Sequence, residues 1–493
     1  MENNRAQWGS KIGFILAAAG SAVGLGNIWK FPGKAFEGGG GAYILIYLAI
    51  VVLIGFPVML SELTIGRAAQ ANAIDSFHKL GYRGFKWVGV TGVAVAFIVT
   101  SYYCHVGGWV LRYVVSYITE AQTVYADPLG YFYGLLGYNA ATGETWFPLT
   151  AILFAAVFMA VNAFIIIKGV EGGIEKFNTI GMPALFVMLV IVIIRAWTLP
   201  NADVGLKYMF VPGYALKAGF FDKAPGFMEV LATAGGQMFF SLSLAMGAMI
   251  TYGSYLGKNE NLPKNSVIIV ISDTLVAIMA GLAVIPAAVA NGIAKGMAVS
   301  EIKLNGPSLL FATLQDVFHD MGTIGGIFGL IFYALVLIAA ISSAISLIEA
   351  VSVTFIDHAS AKGHERDRNK VLAVVCLAIT LLACLVAVDG LGSNGIAPKD
   401  LFHINSKADW CADWLDFMDM ISEGIAMPLG AMLMSIMVGW EIKPKSLYGE
   451  IDSGYNGHIH GFYTFCIKYL CPVIMFFILL VQISTFFGLG WFN

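Results

Sequence analysis

Apolar residues in this chain neither alternate nor follow a single helical stripe. They run in long blocks separated by short polar stretches. A bilayer crossing takes roughly 20 mostly apolar residues. Blocks of that size lie near 11–36, 42–70, 87–120, 149–168, 174–197, 227–256, 264–291, 322–358, 368–389, 412–440 and 460–488. The pattern predicts eleven transmembrane helices. Several blocks exceed what a bilayer needs, which predicts tilt or extension beyond it. The connecting segments 198–226 and 292–321 are long enough to carry short surface helices. No soluble domain, linker or low-complexity tail interrupts the series, so residues 1–493 read as a single transmembrane domain.

Two blocks are broken. The first contains Gly20-Ser21-Ala22-Val23-Gly24-Leu25-Gly26-Asn27, and the sixth carries Gly235-Gly236 ahead of Phe240-Ser241-Leu242-Ser243-Leu244-Ala245-Met246-Gly247. Each glycine inside a helix costs about 1 kcal/mol against alanine. Unpaired backbone groups at membrane depth are tolerated only where protein or water satisfies them. Small residues also serve close helix packing, and for a single glycine the two readings are equal. Asn27 and the serines favour interrupted helices lining a site. The first and sixth blocks open two successive groups of five, 11–197 and 227–440, with 460–488 as an extra helix. That is the arrangement of an inverted repeat.

Lys and Arg concentrate in alternate loops: Arg67, Lys79, Arg83 and Lys86; Lys168 and Lys176; Lys258 and Lys264; Lys362, Arg366, Arg368 and Lys370; Lys443 and Lys445. The loop 121–148 holds none. The bias predicts a cytoplasmic N-terminus in the cell membrane.

Composition agrees. The chain is 58% hydrophobic and 12% charged, where soluble domains average about 45–50% and about 25%. Lipid is its natural solvent. The net charge of −3 gives no basic field for nucleic acid. Five of the six cysteines lie in apolar blocks, which argues against a disulfide framework. No nucleophile–base pair, metal triad or cofactor loop points to an enzyme.

The polar residues inside the blocks are the candidate chemistry. Asp273 lies nine residues into the seventh block, roughly 14 Å deep. A carboxylate there calls for a cation, a proton or a partner on a neighbouring helix. Ser342 and Ser343 supply hydroxyls, either to a cation or back to their own helix. Asn27 and Ser241 add further oxygens. Glu62 reads as a brace for the first or sixth helix, Tyr102 and Tyr103 as core or cavity residues, and His105 as a packed histidine.

The run Ala22 to Asn27 followed by Lys30-Phe31-Pro32, the stretch Glu37 to Ala42, and Phe240 to Met246 with Ile250-Thr251-Tyr252 together resemble the signatures of the neurotransmitter:sodium symporters. The resemblance covers essentially the whole chain and is similar to bacterial amino acid members such as the leucine transporter. It implies an all-α, five-plus-five inverted-repeat fold with helices 1 and 6 broken. It also implies two co-transported sodium ions, no other cofactor, and a small amino acid as substrate. One sodium would take Ala22, Asn27, Ser241 and Asp273. The other would take Gly20, Val23 and Ala339 with Ser342 and Ser343. Substrate would meet Ala22, the amides of Leu25 and Gly26, Tyr103 and Ser241. Val99, Phe240, Ser243, Met246, Ser346 and Leu347 would surround its side chain. Lys30 with Asp419 would form an outer gate, and Arg5 with Asp357 an inner one, with Trp8 anchoring the N-terminal segment. Gly173 and Pro183 match a family pattern in the fifth helix that lets it unwind.

The departures refine this picture. Gly24 stands where monoamine carriers keep an aspartate, which favours a substrate with its own carboxylate. Asp273 and Ala277 replace the Asn and Ser of the animal members' chloride site, so a fixed carboxylate substitutes for the anion. The expectation is chloride-independent uptake of a neutral, hydrophobic or aromatic α-amino acid by alternating access. An amino acid sensor or a proton-coupled carrier on the same fold is the alternative.

Overall fold

The computed structural model describes residues 7–304, 306–361, 367–404, 408–454 and 457–492. Among these, nine unbroken helices are long and apolar enough to cross a membrane: Gly41–Ala69, Lys86–Thr119, Leu149–Ile167, Val170–Trp197, Leu262–Ala294, Gly325–His358, Arg368–Asp389, Trp414–Ile442 and His460–Phe486. They match blocks two to five and seven to eleven of the sequence. The first span is a pair, Lys11–Ala22 and Gly26–Glu37, bent by 50°. The sixth is Phe227–Ser241 and Ala248–Gly253, separated by Leu242–Gly247. The layout is therefore consistent with eleven crossings. The connections after the fifth and seventh spans carry short helices, Ala202–Phe210 and Leu314–Asp320 among them.

Local chemistry sets the breaks. Ser10 caps the first helix, its Oγ accepting from the Gly13 amide at 2.9 Å. The helix stops at Val23, whose backbone turns extended, and resumes at Gly26 in widened turns that run straight into Phe31–Glu37; Pro32 lies within this second half, where its missing N–H removes one helical bond. In the sixth span Ser243, Ala245 and Gly247 all have positive φ, at 52°, 59° and 72°. For the two non-glycines this is strained backbone that persists only when neighbours over-determine it. Those neighbours are present. Ser243 Oγ donates to the Ser21 carbonyl at 2.8 Å, and the Ala245 amide donates to Glu62 Oε1 at 2.7 Å.

The first span's N-terminal half packs against the fifth, seventh and eighth spans, and the third span packs against the fourth, eighth and ninth. The first half of the sixth span packs against the second and eleventh spans. The fifth span opens with widened turns at Val170–Glu175, which include Gly173, and carries Pro183 inside Lys176–Trp197. Its Glu175 holds the N-terminal segment, accepting from the Gly9 amide and the Ser10 hydroxyl, each at 2.7 Å. Trp8 donates to the Tyr252 carbonyl at 3.2 Å and packs edge-on against the Tyr252 ring.

Candidate functional site

The interruption of the first span turns backbone toward the interior, and the seventh span answers with Asp273. Asn27, Ser241 and Asp273 converge, the first and last fully buried. Asn27 Nδ2 lies 2.7 Å from Asp273 Oδ1 and 2.9 Å from Ser241 Oγ. Ser241 Oγ lies 2.9 Å from both Asp273 carboxylate oxygens. Asn27 Oδ1 accepts from the Gly24 amide at 2.9 Å. The amide nitrogen faces the cluster because a carboxylate takes donors; a cation would take the oxygen, and the two ends of a carboxamide exchange by rotation. Otherwise the donor set is oxygen, the chemistry a hard cation prefers.

A second cluster joins the first and eighth spans. Ser342 Oγ reaches the Ala339 carbonyl at 2.9 Å and the Val23 carbonyl at 3.3 Å. Ser343 Oγ reaches the Ser21 carbonyl at 3.0 Å and the Gly20 carbonyl at 3.3 Å. All five residues expected there are brought together. The hydroxyls bond across to the first span as well as back within the eighth.

Between the clusters is a small closed void lined by Ala22, Gly24, Gly26, Val99, Tyr103, Phe240, Ser241, Ser243, Met246, Ser343 and Leu347. Tyr103 OH accepts from the Leu25 amide at 2.9 Å. The glycines permit this approach. A Cβ on Gly24 would sit 2.3 Å from Ser343 Oγ, and one on Gly26 would sit 2.6 Å from the Phe240 ring. The Leu25 side chain is buried, and its amide, the group expected at the site, faces Tyr103. One expected pocket residue is placed differently. Ser346 accepts from Ser21 Oγ and donates to the Ser343 carbonyl, both at 2.7 Å, so its hydroxyl is spent on helix contacts.

Above the void Lys30 Nζ lies 2.5 Å from Asp419, 2.6 Å from Glu423 and 4.1 Å from the centre of the Phe240 ring. Lys34 pairs with the same Glu423, and Tyr102 OH donates to Asp419 at 2.8 Å. The expected pair is thus one edge of a four-charge cluster. Sequence reading missed Glu423 and Lys34. The signal was available, because Lys30/Lys34 and Asp419/Glu423 are i,i+4 pairs, each presenting two charges on one helix face.

Of the expected inner pair, Arg5 lies outside the described residues. Asp357 accepts from the Asn72 amide at 3.2 Å and from its Nδ2 at 3.1 Å. Glu62 braces the sixth span rather than the void. Glu349 accepts from Tyr255 and Arg368. His105 is fully buried against Trp109, ring centres 4.5 Å apart.

The comparisons agree with this architecture. The family model described as the sodium:neurotransmitter symporter family matches residues 5–124 and 137–493. The sodium-dependent transporter YhdH of Bacillus subtilis (strain 168) is 34% identical, covering 98% of this chain and 100% of its own. Human sodium- and chloride-dependent GABA transporter 2 is 23% identical, covering 95% of this chain and 78% of its own. The crystal structure of MhsT in complex with L-phenylalanine matches with a TM-score of 0.81 and 34% identity, over 97% of this chain and 100% of that one. The broken spans, the buried oxygen clusters and these likenesses lead to one conclusion: the chain belongs to the sodium:neurotransmitter symporter family and is a multi-pass, sodium-dependent membrane transporter, not an enzyme.

Proposed function

We propose that this transporter imports a neutral, apolar or aromatic α-amino acid together with sodium, by alternating access and without chloride. The observation that carries the reading is the void itself. Among the described residues no charged side chain lines it; Val99, Phe240, Met246 and Leu347 form its apolar side, and Tyr103, Ser241, Ser243 and Ser343 bring only hydroxyls. Such a pocket rejects glutamate and lysine, whose charges would be buried unpaired. The void measures about 10 Å³, so substrate must open it, and the adaptable Met246 lets it reshape around side chains of several sizes. The relative MhsT holds L-phenylalanine, which is consistent with this class.

In this reading the substrate carboxylate meets the Leu25 and Gly26 amides, the Tyr103 hydroxyl and a first sodium on Ala22, Asn27, Ser241 and Asp273. Its ammonium group meets carbonyls of Ala22, Phe240 and Ser241. A second sodium sits on Gly20, Val23, Ala339, Ser342 and Ser343. Lys30 with Asp419 closes the outer side and Arg5 with Asp357 the inner, the N-terminus being cytoplasmic and the repeats spanning 11–197 and 227–440. Asp273 supplies the negative charge that a bound chloride would otherwise bring.

Uptake of radiolabelled phenylalanine and leucine into proteoliposomes tests this. It should require an inward sodium gradient, fail in choline, and resist competition by glutamate, lysine or a monoamine. Equal uptake in choline would overturn the sodium assignment, and strong competition by a charged amino acid would overturn the substrate class.

A further inference from the structure

A further cavity lies elsewhere. A cleft of about 1030 Å³ is bounded by the third, eighth and ninth spans and the short helix Ala73–Lys79. Its walls include Val90, Ala94, Phe97 and Ile98 of the third span, Phe355 of the eighth, and Val374 of the ninth. It opens outward, since Phe355 and Val374 are 52% and 67% exposed. Its polar lining is Thr354, Asp367 and Lys370 alone, and Asp367 and Lys370 lie at the end where the ninth span begins.

That end lies at membrane-surface level. Trp87, exposed beside Lys86 at the start of the third span, is the kind of residue that anchors at the headgroups. From Trp87 to Ile98 the helix rises roughly 16 Å, about half of the ~30 Å hydrocarbon core. The cleft therefore spans one leaflet, apolar along its length and charged only at its mouth. Lys86, one turn before Val90, falls on the same face as that wall residue. Lys86 and Lys370 form no ion pair among the described residues. The Asp367 carboxylate is committed to capping the ninth span, accepting from the Asn369 amide at 3.0 Å. Arg368 is paired with Glu349 at 2.8 Å. Lys370 at the mouth, with Lys86 on the helix that forms the wall and set over the Trp87 ring at 5.7 Å, matches an amphiphile with an anionic head above an apolar slot one leaflet deep.

We propose that this cleft is a specific site for an anionic phospholipid of the leaflet on the N-terminal side, with its acyl chains between the third, eighth and ninth spans and its phosphate at Lys370 and Lys86. The bound lipid would touch Ile74, two residues from Asn72, which holds Asp357 of the eighth span.

The test uses the full-length protein in nanodiscs of equal phosphatidylcholine and phosphatidylglycerol. Lipids retained after transfer to detergent are counted by native mass spectrometry. Wild type should retain phosphatidylglycerol over phosphatidylcholine, with about fivefold enrichment lost per lysine reversed. Lys370→Glu should lower the enrichment by at least that factor, and Lys370→Arg should keep it. Ala94→Trp, which fills the slot from an exposed position, should abolish retention of both lipids. Retention at the bulk ratio in wild type, or enrichment that survives both Lys370→Glu and Ala94→Trp, would overturn the site. None of these readouts depends on which substrate is carried.

Discussion

Gly24→Ala is the sharpest test of the pocket. The added Cβ would lie 2.3 Å from Ser343 Oγ, 2.7 Å from Tyr103 OH and 3.1 Å from Ser343 Cβ. The first contact is relieved only if the Ser343 hydroxyl turns from the Gly20 and Ser21 carbonyls. The second requires Tyr103 to retreat from the Leu25 amide. Overpacking a filled interior costs about 1–3 kcal/mol, and a lost hydrogen bond adds about 0.5–1.5 kcal/mol. Some of that is recovered by rotating Ser343, which leaves about 2 kcal/mol. If it falls on the substrate-bound state, affinity drops about 30-fold. Scintillation-proximity binding of radiolabelled phenylalanine in saturating sodium measures this, with thermal unfolding alongside to separate stability from binding. Binding within twofold of wild type would refute the claim that Gly24 is kept small to bring Tyr103 and Ser343 together.

Three further outcomes are expected. Replacing chloride by gluconate should leave uptake unchanged, whereas Asp273→Asn with Ala277→Ser should make it chloride-sensitive; a wild type that stops without chloride would remove Asp273 from that role. Glu423→Gln leaves Lys34 without its carboxylate and Lys30 with Asp419 alone. Removing one member of a buried charge cluster costs about 3–5 kcal/mol, so cysteine accessibility in the outer vestibule should rise, and unchanged labelling would count against a gating role. Asp357→Ala should raise accessibility of the inner vestibule, because the contact to Asn72 and the proposed pairing with Arg5 are lost together; equal labelling would argue that neither holds that side shut.

The broken spans were legible because glycines and an asparagine inside an apolar block contradict a continuous helix. The oxygen clusters and their convergence were legible only through the family resemblance, because Asn27 stands more than two hundred residues from both Ser241 and Asp273. Ser346 shows where sequence reading stops. A serine's hydroxyl can serve its own helix as easily as a ligand. Glu423 was overlooked for a different reason: one more acid in an apolar span is informative only when paired with the lysine doublet of the first.

The Ser21 carbonyl accepts from Ser243 on the sixth span and from Ser343 on the eighth. One peptide unit is thus shared by the wall of the void and by the second oxygen cluster. Any cation drawing on Ser343 redistributes the bonds that shape the void, and any ligand that moves Ser243 alters what Ser343 has to offer. Thermodynamic reciprocity then sets a rule for the whole cycle. The factor by which sodium tightens substrate binding must equal the factor by which the substrate tightens sodium binding, so neither cargo can be made to bind more cooperatively without the other.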